Sequence, residues 1–402
     1  MLKYFRGRSL GYIIKFVSVL PLALLLWIVI ELVNLFRPVF IVGLSYKGRI
    51  THYMWPMELH LRNANQLNKK YTMIFVMPAA TPNEAVRTVY RRYSIIIDSH
   101  YPKFIRRTFS ILAELLKFRY NPKLPTNNLL WKLAPATKLS IGEIEFGKNL
   151  RRKLGIPEAS KYVCLSVKDG AYYSTITPDN GYGQDLRSQA EDSRNVNIDD
   201  YMGAATYLAM KGIYVVRMGS VVSGPLPKNR HARIIDYAFE FRSELGDIVL
   251  YRNCLFELNG TAGSIIFAAS SNRPIAQCDE YEIDSMSQSN HPPRAILALS
   301  LIKESKSGRL LSIREIVKLG ILGQHDDILR KFGLERRNNS AAEILEAVIE
   351  LEDLISNKFT LSAENKLLQI KFYQCYEPPL DPIDQSLVII SPSFLRKYEH
   401  LL

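Results

Sequence analysis

The sequence predicts an α/β protein in which two Rossmann-like domains face a cleft, preceded by an N-terminal hydrophobic membrane segment. Three observations predict this fold class: an uncharged apolar run near the amino terminus, two stretches in which short β-branched runs alternate with helical patterns, and a turn of small residues in the second stretch. The chain has 402 residues, of which 47% are hydrophobic, so it is long enough to bury two cores.

Residues 1–45 predict a membrane anchor or a re-entrant segment. Residues 16–30 carry no charge, and the apolar character resumes after Glu31. A helix of about 20 residues spans a bilayer, so this run is just long enough, although Pro21 and Glu31 both interrupt it. Basic residues flank the run almost equally, so the positive-inside rule assigns no orientation. The alternative is a buried hairpin of core helices.

The first Rossmann-like domain is predicted over residues 46–157. The predicted elements around it are strands at 39–43 and 71–77 and helices at 51–62, 83–97 and 104–118. This alternation implies a parallel sheet. The last helix is basic and amphipathic, which fits either a membrane surface or a solvated face over a core. Gly155 and Pro157 end a further helix, and we place the domain boundary there.

Residues 158–402 predict the second Rossmann-like domain, with a helical tail. The predicted elements are strands at 161–167, 213–218, 247–251, 254–258 and 273–278 and helices at 198–211 and 265–269. Helical segments are predicted to dominate from 295 to 355. Short apolar runs ended by glycine or polar residues are typical of buried parallel strands, which is why so many strands are expected here.

The turn in residues 257–264 (ELNGTAGS) is predicted to hold a phosphate. It follows a buried strand and precedes an apolar helix, so backbone N–H groups and the positive helix end can face an anion. Thr261, Gly263 and Ser264 are the candidate donors, and an ordinary helix cap is the alternative. Arg217 lies near the carboxyl end of its strand, which Gly219 terminates. Ligands of open α/β sheets bind at this edge.

Charge and motifs narrow the function classes. The net charge of +13 and pI near 9.4 suit an anionic membrane surface or phosphorylated ligands. Nucleic acid is not expected as a partner, because the basic residues are dispersed and no nucleic-acid-binding signature is present. The chain contains neither GxGxxG nor GxxxxGK[ST], which argues against a dinucleotide oxidoreductase or a P-loop kinase.

Metal and redox chemistry are not expected either. No Asp-x-Asp occurs, and the seven histidines show no zinc spacing, so no metal or other cofactor is predicted. Four cysteines, at positions 164, 254, 278 and 375, have no CxxC spacing. Because three of them lie in apolar, strand-like runs, we expect buried thiols rather than disulfides or zinc ligands.

Several segments together resemble a glycosyltransferase family encoded in bacterial surface-polysaccharide loci. The matching blocks are KYVCLSVKDGAY (161–172), RNVNIDDY (194–201), VVRMG (215–219), IIDYA (234–238), GTAGS (260–264) and SPSF (391–394). The resemblance extends from about residue 49 to the carboxyl terminus. Two positions depart from the pattern: Lys168 stands where arginine is usual, and Thr51 where glycine is common. Lysine keeps the charge but lacks the bidentate fork of arginine.

The resemblance implies a GT-B-type transferase whose carboxyl-terminal domain binds a nucleotide-sugar donor. Its acceptor, a cell-surface glycan or a lipid-linked glycan, would bind the amino-terminal domain. Because nucleotide sugars are cytosolic, the enzyme is expected at the cytoplasmic face of the inner (plasma) membrane. The candidate donor-binding residues are Lys168, Arg194, Arg217, Gly219, Asp236, Tyr237, Thr261, Gly263 and Ser264. Cations at the departing diphosphate would make the reaction independent of a metal.

Glycosyl transfer also needs a base for the acceptor hydroxyl. His52 is the first candidate, since an ordinary histidine pKa of about 6.5 suits proton transfer. Glu58, six residues further on, and Asp169 are the others. A histidine beside aromatic residues is also a common packed residue, so a structural role for His52 stays open. Two rival functions stay open as well: a non-catalytic GT-B-like scaffold in a polysaccharide assembly complex, and a membrane-bound transferase of phosphate or acyl groups.

Overall fold

The structure, a computed structural model, describes residues 10–44, 49–77, 81–120, 132–168, 170–171, 195–281, 294–376 and 388–402. The chain divides into two compact units. Unit 1 comprises residues 1–124 and 136–138, and unit 2 comprises residues 125–135 and 139–402. Each unit is an α/β structure built on a parallel sheet, as the alternating pattern predicts.

Unit 1 begins with one long helix and continues as a small β-α-β-α-β-α structure. Its elements are α1 (Leu10–Asn34), β1 (Val39–Gly43), α2 (Ile50–Asn65), β2 (Thr72–Val76), α3 (Glu84–Arg91), β3 (Ile95–Ile97) and α4 (Lys103–Tyr120). The three strands form a parallel sheet in the order β1-β2-β3. Helix α4 packs on β1 and β2, and α1 packs on α4. The alternative of a buried hairpin of core helices is not found, because residues 10–34 form a single helix.

Unit 2 carries a seven-stranded, wholly parallel sheet. Its strands are β4 (Tyr162–Val167), β5 (Tyr214–Met218), β6 (Ile234–Ile235), β7 (Glu257–Gly260), β8 (Ile275–Glu280), β9 (Ala295–Leu299) and β12 (Val388–Ile390). They lie in the order β12-β9-β8-β7-β4-β5-β6. A separate antiparallel pair joins β10 (Leu301–Glu304) to β11 (Leu334–Arg337). Because β4 and β9 are buried, their sequences, YVCLSV and AILAL, are mainly apolar runs rather than alternating ones.

Helices cover both faces of this sheet. They are α5 (Ile141–Lys153), α6 (Ile198–Met210), α7 (Tyr237–Glu240), α8 (Glu244–Asn253), α9 (Ile265–Ser270), α10 (Ile313–Lys318), α11 (Asp326–Lys331), α12 (Ala341–Ile355), α13 (Ala363–Gln374) and α14 (Pro392–Lys397). Helices α6 and α12 share one core with inward residues of β4, β7, β8 and β9. Helices α13 and α14 pack against the opposite face of β9 and β12.

Three sequence-based assignments are corrected. Residues 247–251, predicted as a strand, belong to α8, which Ser243 caps by accepting a hydrogen bond from the N–H of Gly246 at 3.1 Å. The helix predicted to reach residue 97 ends at Arg91, and β3 follows it. The region predicted to be helical from 295 begins instead with β9 and β10. In each case an apolar run without clear periodicity fits a buried helix and a buried strand equally well.

The division between the units also differs from the predicted boundary at Pro157. Helix α5 belongs to unit 2, because it packs on α8. The contact is close at Gly147, where an added Cβ would lie 3.3 Å from Cβ of Val249. The chain therefore passes into the second α/β unit before the helix that sequence patterns assigned to the first.

Candidate functional site

The strand order of unit 2 reverses between β4 and β7. From β4 the chain adds β5 and then β6 on one side, and it returns to place β7 on the other side of β4. Val167 at the end of β4 pairs with Gly260 at the end of β7, and the N–H of Lys168 donates to the Gly260 carbonyl at 3.2 Å. The loops that follow these strands thus leave the sheet from one point. In doubly wound folds this switch point is where ligands bind.

The predicted phosphate turn stands at this point. Asn259 closes the turn: its Nδ2 donates to the Ala262 carbonyl, and its Oδ1 accepts from the Ala262 N–H, both at 3.1 Å. Thr261 has φ of +54°, a left-handed conformation that β-branched residues rarely adopt, and its hydroxyl donates to the Gly260 carbonyl at 2.8 Å. Backbone strain of this kind persists only where the surroundings hold it, and it is common at ligand sites.

Glycine is required at position 260 for a steric reason. A Cβ there would lie 2.4 Å from the Tyr201 hydroxyl oxygen and 3.0 Å from a methyl group of Val196. Tyr201 is itself buried, and its hydroxyl donates to Oδ2 of Asp279 at 2.6 Å. The turn after β7 therefore rests directly on α6, which carries Tyr201.

Asp279 links Tyr201 to Asn339 at the carboxyl edge of the sheet. It lies at the irregular end of β8 with φ of +59°, and it accepts from the N–H of Asn339 at 2.5 Å while Asn339 accepts from its N–H at 2.7 Å. Burial raises the pKa of Asp279 to about 6, against the lowering effect of its hydrogen bonds from Tyr201 and Asn339. Bulges at such edges often re-aim side chains beside a site.

A second polar group lies beneath the turn, on the opposite face of the sheet. Oε1 of Glu257 accepts from Nδ2 of Asn259 at 2.9 Å, and the hydroxyls of Ser166 and Tyr251 are 2.5 Å apart. All four residues are buried. Burial raises the pKa of Glu257 to about 7, and hydrogen bonds from Asn259 and Ser166 oppose that rise. Burial likewise raises the pKa of Tyr251, which hydrogen bonds with Ser166 and Ser264 oppose.

The predicted donor residues divide into two groups. Lys168, Thr261, Gly263 and Ser264 lie together at the switch point, and each is half-buried. Arg217 lies one strand away in β5, but its Nη1 donates to the Gly224 carbonyl at 2.7 Å and to Oδ1 of Asp236 at 3.2 Å.

Arg217 and Asp236 therefore have an internal role, and their predicted donor contacts stay a prediction. Both side chains are buried, and Asp236 also accepts from the N–H of Leu226 at 2.7 Å. The ion pair holds the segment between β5 and β6. Gly219, in the same segment, has φ of +154°, and a Cβ there would lie 2.9 Å from Cγ1 of Val222, so glycine is needed for the backbone path.

Tyr237 also makes internal contacts, and its donor-binding role stays a prediction. Its hydroxyl donates toward the Ser243 carbonyl at 2.8 Å and Oδ1 of Asp247 at 3.1 Å, and it accepts from the Ser243 N–H at 2.9 Å. Burial raises the pKa of Asp247 to about 6, while Arg242 acts to lower it. Tyr237 thus fixes the start of α8. Arg194 and Asp169, the remaining donor-side and catalytic candidates of this unit, lie outside the described residues.

Unit 1 carries the other two catalytic candidates, both on α2. His52 is exposed in the first turn of the helix. Glu58 is fully buried: Oε1 accepts from Nε of Arg62 at 2.7 Å and from the Ala136 N–H at 2.8 Å, and Oε2 accepts from the Tyr90 hydroxyl at 2.6 Å. These contacts give Glu58 a structural role, and its assignment as a base stays a prediction. Sequence spacing alone did not show which of the two faces solvent.

Sequence patterns missed most of the polar frame of the site. Tyr201, Tyr251, Asp279 and Asn339 were not predicted, because their contacts join residues far apart in the chain. One signal was present: β7 and β8 read ELNG and IAQCDE, and polar residues are unusual in fully buried strands. The four cysteines are buried and free, as predicted. Among the described residues, no group of three or more His, Cys, Asp or Glu side chains is placed to hold a metal ion.

No protein-family model and no curated protein matches the chain. The solved structures that are similar to parts of it include the following three. One is a dodecameric iron-containing heptosyltransferase in complex with ADP-D-β-D-heptose, at 11% identity and a TM-score of 0.31, covering 61% of this chain and 59% of that chain. The chain thus spans about three-fifths of the length of that relative.

The other two are similar at the same level. The ADP-heptose LPS heptosyltransferase II of E. coli has 14% identity and a TM-score of 0.34, covering 60% of this chain and 84% of that chain. The glycosyl transferase family 9 protein of Veillonella parvula has 11% identity and a TM-score of 0.33, covering 79% of this chain and 82% of that chain. Scores this low do not establish a shared architecture.

Proposed function

We propose that this chain is a glycosyltransferase that takes a sugar from a nucleotide-sugar donor, whose diphosphate binds at the switch point of unit 2. The observation that carries the proposal is the meeting of Lys168 and the turn at 260–264 at adjoining strand ends. Transfer of a sugar requires that the departing diphosphate be stabilised by charge and hydrogen-bond donors held in place. A lysine beside a closed, small-residue turn provides such a setting, and the matching sequence blocks add support.

The acceptor side of the proposal rests on exposed residues. His52 is the proposed base, because it is exposed whereas His60, on the same helix, is not. Burial lowers the pKa of His60 to about 4, which makes it a packed, neutral residue beside Phe75. Asp169 is the second proposed base. The proposed acceptor is a cell-surface glycan or a lipid-linked glycan, the transferred sugar a hexose or related sugar, and the reaction metal-independent.

The proposed location is the cytoplasmic face of the inner membrane. Within the described part of the chain, one helix stretch, Val17–Asn34 of α1, is long and apolar enough to cross a membrane by length and composition. A lipid-linked acceptor and a soluble donor meet at such a surface.

A donor screen with released nucleotide as the readout tests this function. Sugar nucleotides of UDP, GDP, ADP and CMP, ADP-heptose included, are incubated with the protein and a lipid-linked acceptor. We expect one donor to be consumed in an acceptor-dependent reaction. His52→Asn should lower turnover by about 100-fold or more, while His400→Asn, an exposed histidine in unit 2, should leave it unchanged. Turnover that is equal in both variants would remove His52 from the mechanism.

A non-catalytic scaffold is the second candidate, and a specific observation favours it. Glu58, Arg217, Asp236 and Tyr237, four of the residues that a transferase mechanism would use, are enclosed in internal contacts. A scaffold would bind a nucleotide or a lipid head group without consuming it. Nucleotide binding in the absence of any donor consumption, across the full screen, would favour this alternative.

A further inference from the structure

Helix α1 presents two opposite apolar faces, and only one of them is covered. Val19, Ala23 and Ile30 are buried against Ile111 and Leu112 of α4, within the unit 1 core. The exposed face is centred one half-turn away around the helix on Leu25 (59% exposed), Ile28 (56%) and Leu32 (59%). Exposed apolar neighbours widen it, and exposed residues just after the helix continue it: Leu22, Leu24, Val29, Val33, Leu35 and Phe36. An apolar stripe of this length is unusual on a surface that meets only water.

The buried face of α1, formed by Val19, Ala23 and Ile30, limits the orientations in which α1 can bind a bilayer. From Val19 to Ile30 the helix lies against the unit over about 17 Å of its length. If α1 crossed a membrane, α4 and the edge strand β1 would enter the hydrocarbon with it. An open sheet edge does not occur in hydrocarbon, because its N–H and C=O groups would lack partners. A helix lying in the plane of the interface meets no such obstacle.

The side of α1 that carries Trp27 and Glu31 suits the level of the lipid headgroups. Trp27 lies between the buried and the exposed stripes, is 39% exposed, and donates from Nε1 to Oε1 of Glu31 at 2.9 Å. Tryptophan prefers the level of the lipid headgroups, where its ring is in an apolar layer and its N–H in a polar one. With the stripe of Leu25, Ile28 and Leu32 facing the acyl chains, Trp27 and Glu31 would lie at that level.

The charge of unit 1 indicates which kind of lipid surface α1 would bind. Unit 1 contains 20 Lys and Arg residues against 5 Asp and Glu, whereas unit 2 contains 32 against 34. Unit 1 therefore carries a formal charge of +15 and unit 2 one of −2, within the total of +13. Arg37, directly after α1, and Lys103 and Arg107 on α4 are exposed. Anionic lipid headgroups attract basic residues near the membrane surface.

We propose that α1 binds an anionic lipid surface in plane, with Leu25, Ile28 and Leu32 inserted below the headgroups, and does not span the bilayer. The inference rests on the membrane location of the proposed function and deepens it, but it uses no part of the donor site.

Vesicle flotation tests whether α1 binds an anionic lipid surface. The full chain should float with phosphatidylcholine vesicles that contain phosphatidylglycerol and bind about tenfold less to pure phosphatidylcholine. L25N/I28N/L32N should weaken binding by more than about tenfold. The matched control M210N/F239N/L367N removes three exposed apolar residues of unit 2 and should bind as wild type. K103Q/R107Q should lose affinity, and K228Q/K358Q, which removes two exposed charges of unit 2, should not.

Depth-dependent quenching of Trp27 separates the two membrane geometries. Trp55 and Trp131 are replaced by Phe, so that Trp27 is the sole tryptophan. In plane, Trp27 is quenched best by lipids brominated near the headgroup. In a spanning helix, Trp27 would lie within about 3 Å of the bilayer centre, because it is close to the midpoint of Val17–Asn34, and bromines deep in the chains would quench best.

The outcomes are decisive in each direction. Deep quenching overturns in-plane binding and keeps the membrane location. Absence of vesicle binding, or a dimer in lipid-free solution that L25N/I28N/L32N dissociates, assigns the stripe to another role and overturns the inference. Donor consumption in solution by a chain that does not bind vesicles would overturn this inference while leaving the proposed chemistry intact.

Discussion

The backbone of Thr261 is the most informative single conformation in the candidate site. A β-branched residue with φ of +54° costs on the order of 1–2 kcal/mol relative to a residue that accepts the left-handed region. Asn259 and the close contact of Gly260 with Tyr201 hold it there. The turn therefore keeps a conformation that the local sequence disfavours.

Thr261→Gly should relieve this strain. Asn357, exposed and with φ of +58°, is the matched control, because asparagine accepts this conformation more readily than threonine. We expect the unfolding free energy of Thr261→Gly to exceed that of Asn357→Gly by about 1 kcal/mol, measured by chemical denaturation. Equal values for the two variants would mean that the turn is not strained.

Glu257 makes the stability of unit 2 depend on pH. Burial raises its pKa from 4.5 to about 7, so between these values the folded chain keeps a proton that the unfolded chain has lost. Its contribution to stability is therefore full below about pH 4.5 and is lost as pH rises through 7. Asp279 and Asp247, with pKa values raised to about 6, act in the same direction.

Glu257→Gln removes the largest part of this dependence. The unfolding free energy of Glu257→Gln minus that of wild type should rise by on the order of 1–3 kcal/mol when the pH is raised from 5 to 8. Glu346→Gln, which changes an exposed carboxylate on α12, should show no such trend. Denaturation curves at both pH values provide the comparison, and parallel behaviour of wild type and Glu257→Gln would refute the buried proton.

Among the elements, α2 shows how one buried ion pair joins several parts of unit 1. Glu58 connects Arg62 on its own helix to Tyr90 on α3 and to the backbone of Ala136, and Arg62 is almost fully buried. Breaking such a pair is costly because the partner charge remains buried without compensation.

Glu58→Gln should therefore destabilise unit 1 by about 3–5 kcal/mol. Glu114→Gln, at an exposed position of α4, should change the stability by less than about 0.5 kcal/mol. Thermal and chemical unfolding of both variants test this. If Glu58→Gln folds with wild-type stability and loses only turnover, Glu58 has a catalytic rather than a structural role.

The sequence predicted strands correctly where glycine or a turn of small residues marks the end of the strand. Strand β5 ends at Met218, directly before Gly219, and β7 enters a small-residue turn; both were located to within a few residues. Strand β9 was missed because AILAL contains good helix formers that a parallel sheet buries equally well. The site was predicted only where it is local: the turn at 260–264 was found, whereas Tyr201 and Asp279, 78 residues apart, meet only through the sheet order.

At the scale of the whole molecule, the two units differ in composition as much as in size. Unit 1 combines the apolar stripe of α1 with a charge of +15, and unit 2 combines a near-neutral charge with a seven-stranded sheet and a polar carboxyl edge. This difference suits a division in which unit 1 binds the membrane surface and unit 2 binds a soluble, phosphorylated donor. Donor binding by unit 2 is the central claim.

Calorimetric titration of UDP, GDP, ADP and CMP tests that claim directly. Lys161 and Lys168 flank the same strand, β4, at its amino and carboxyl ends, so Lys161→Gln is a matched control for Lys168→Gln. The account predicts that one nucleotide binds wild type and Lys161→Gln alike and binds Lys168→Gln about tenfold more weakly, through loss of one charge-assisted contact. Equal affinity in all three proteins, or binding lost only in Lys161→Gln, would contradict a donor site at the β4–β7 switch point.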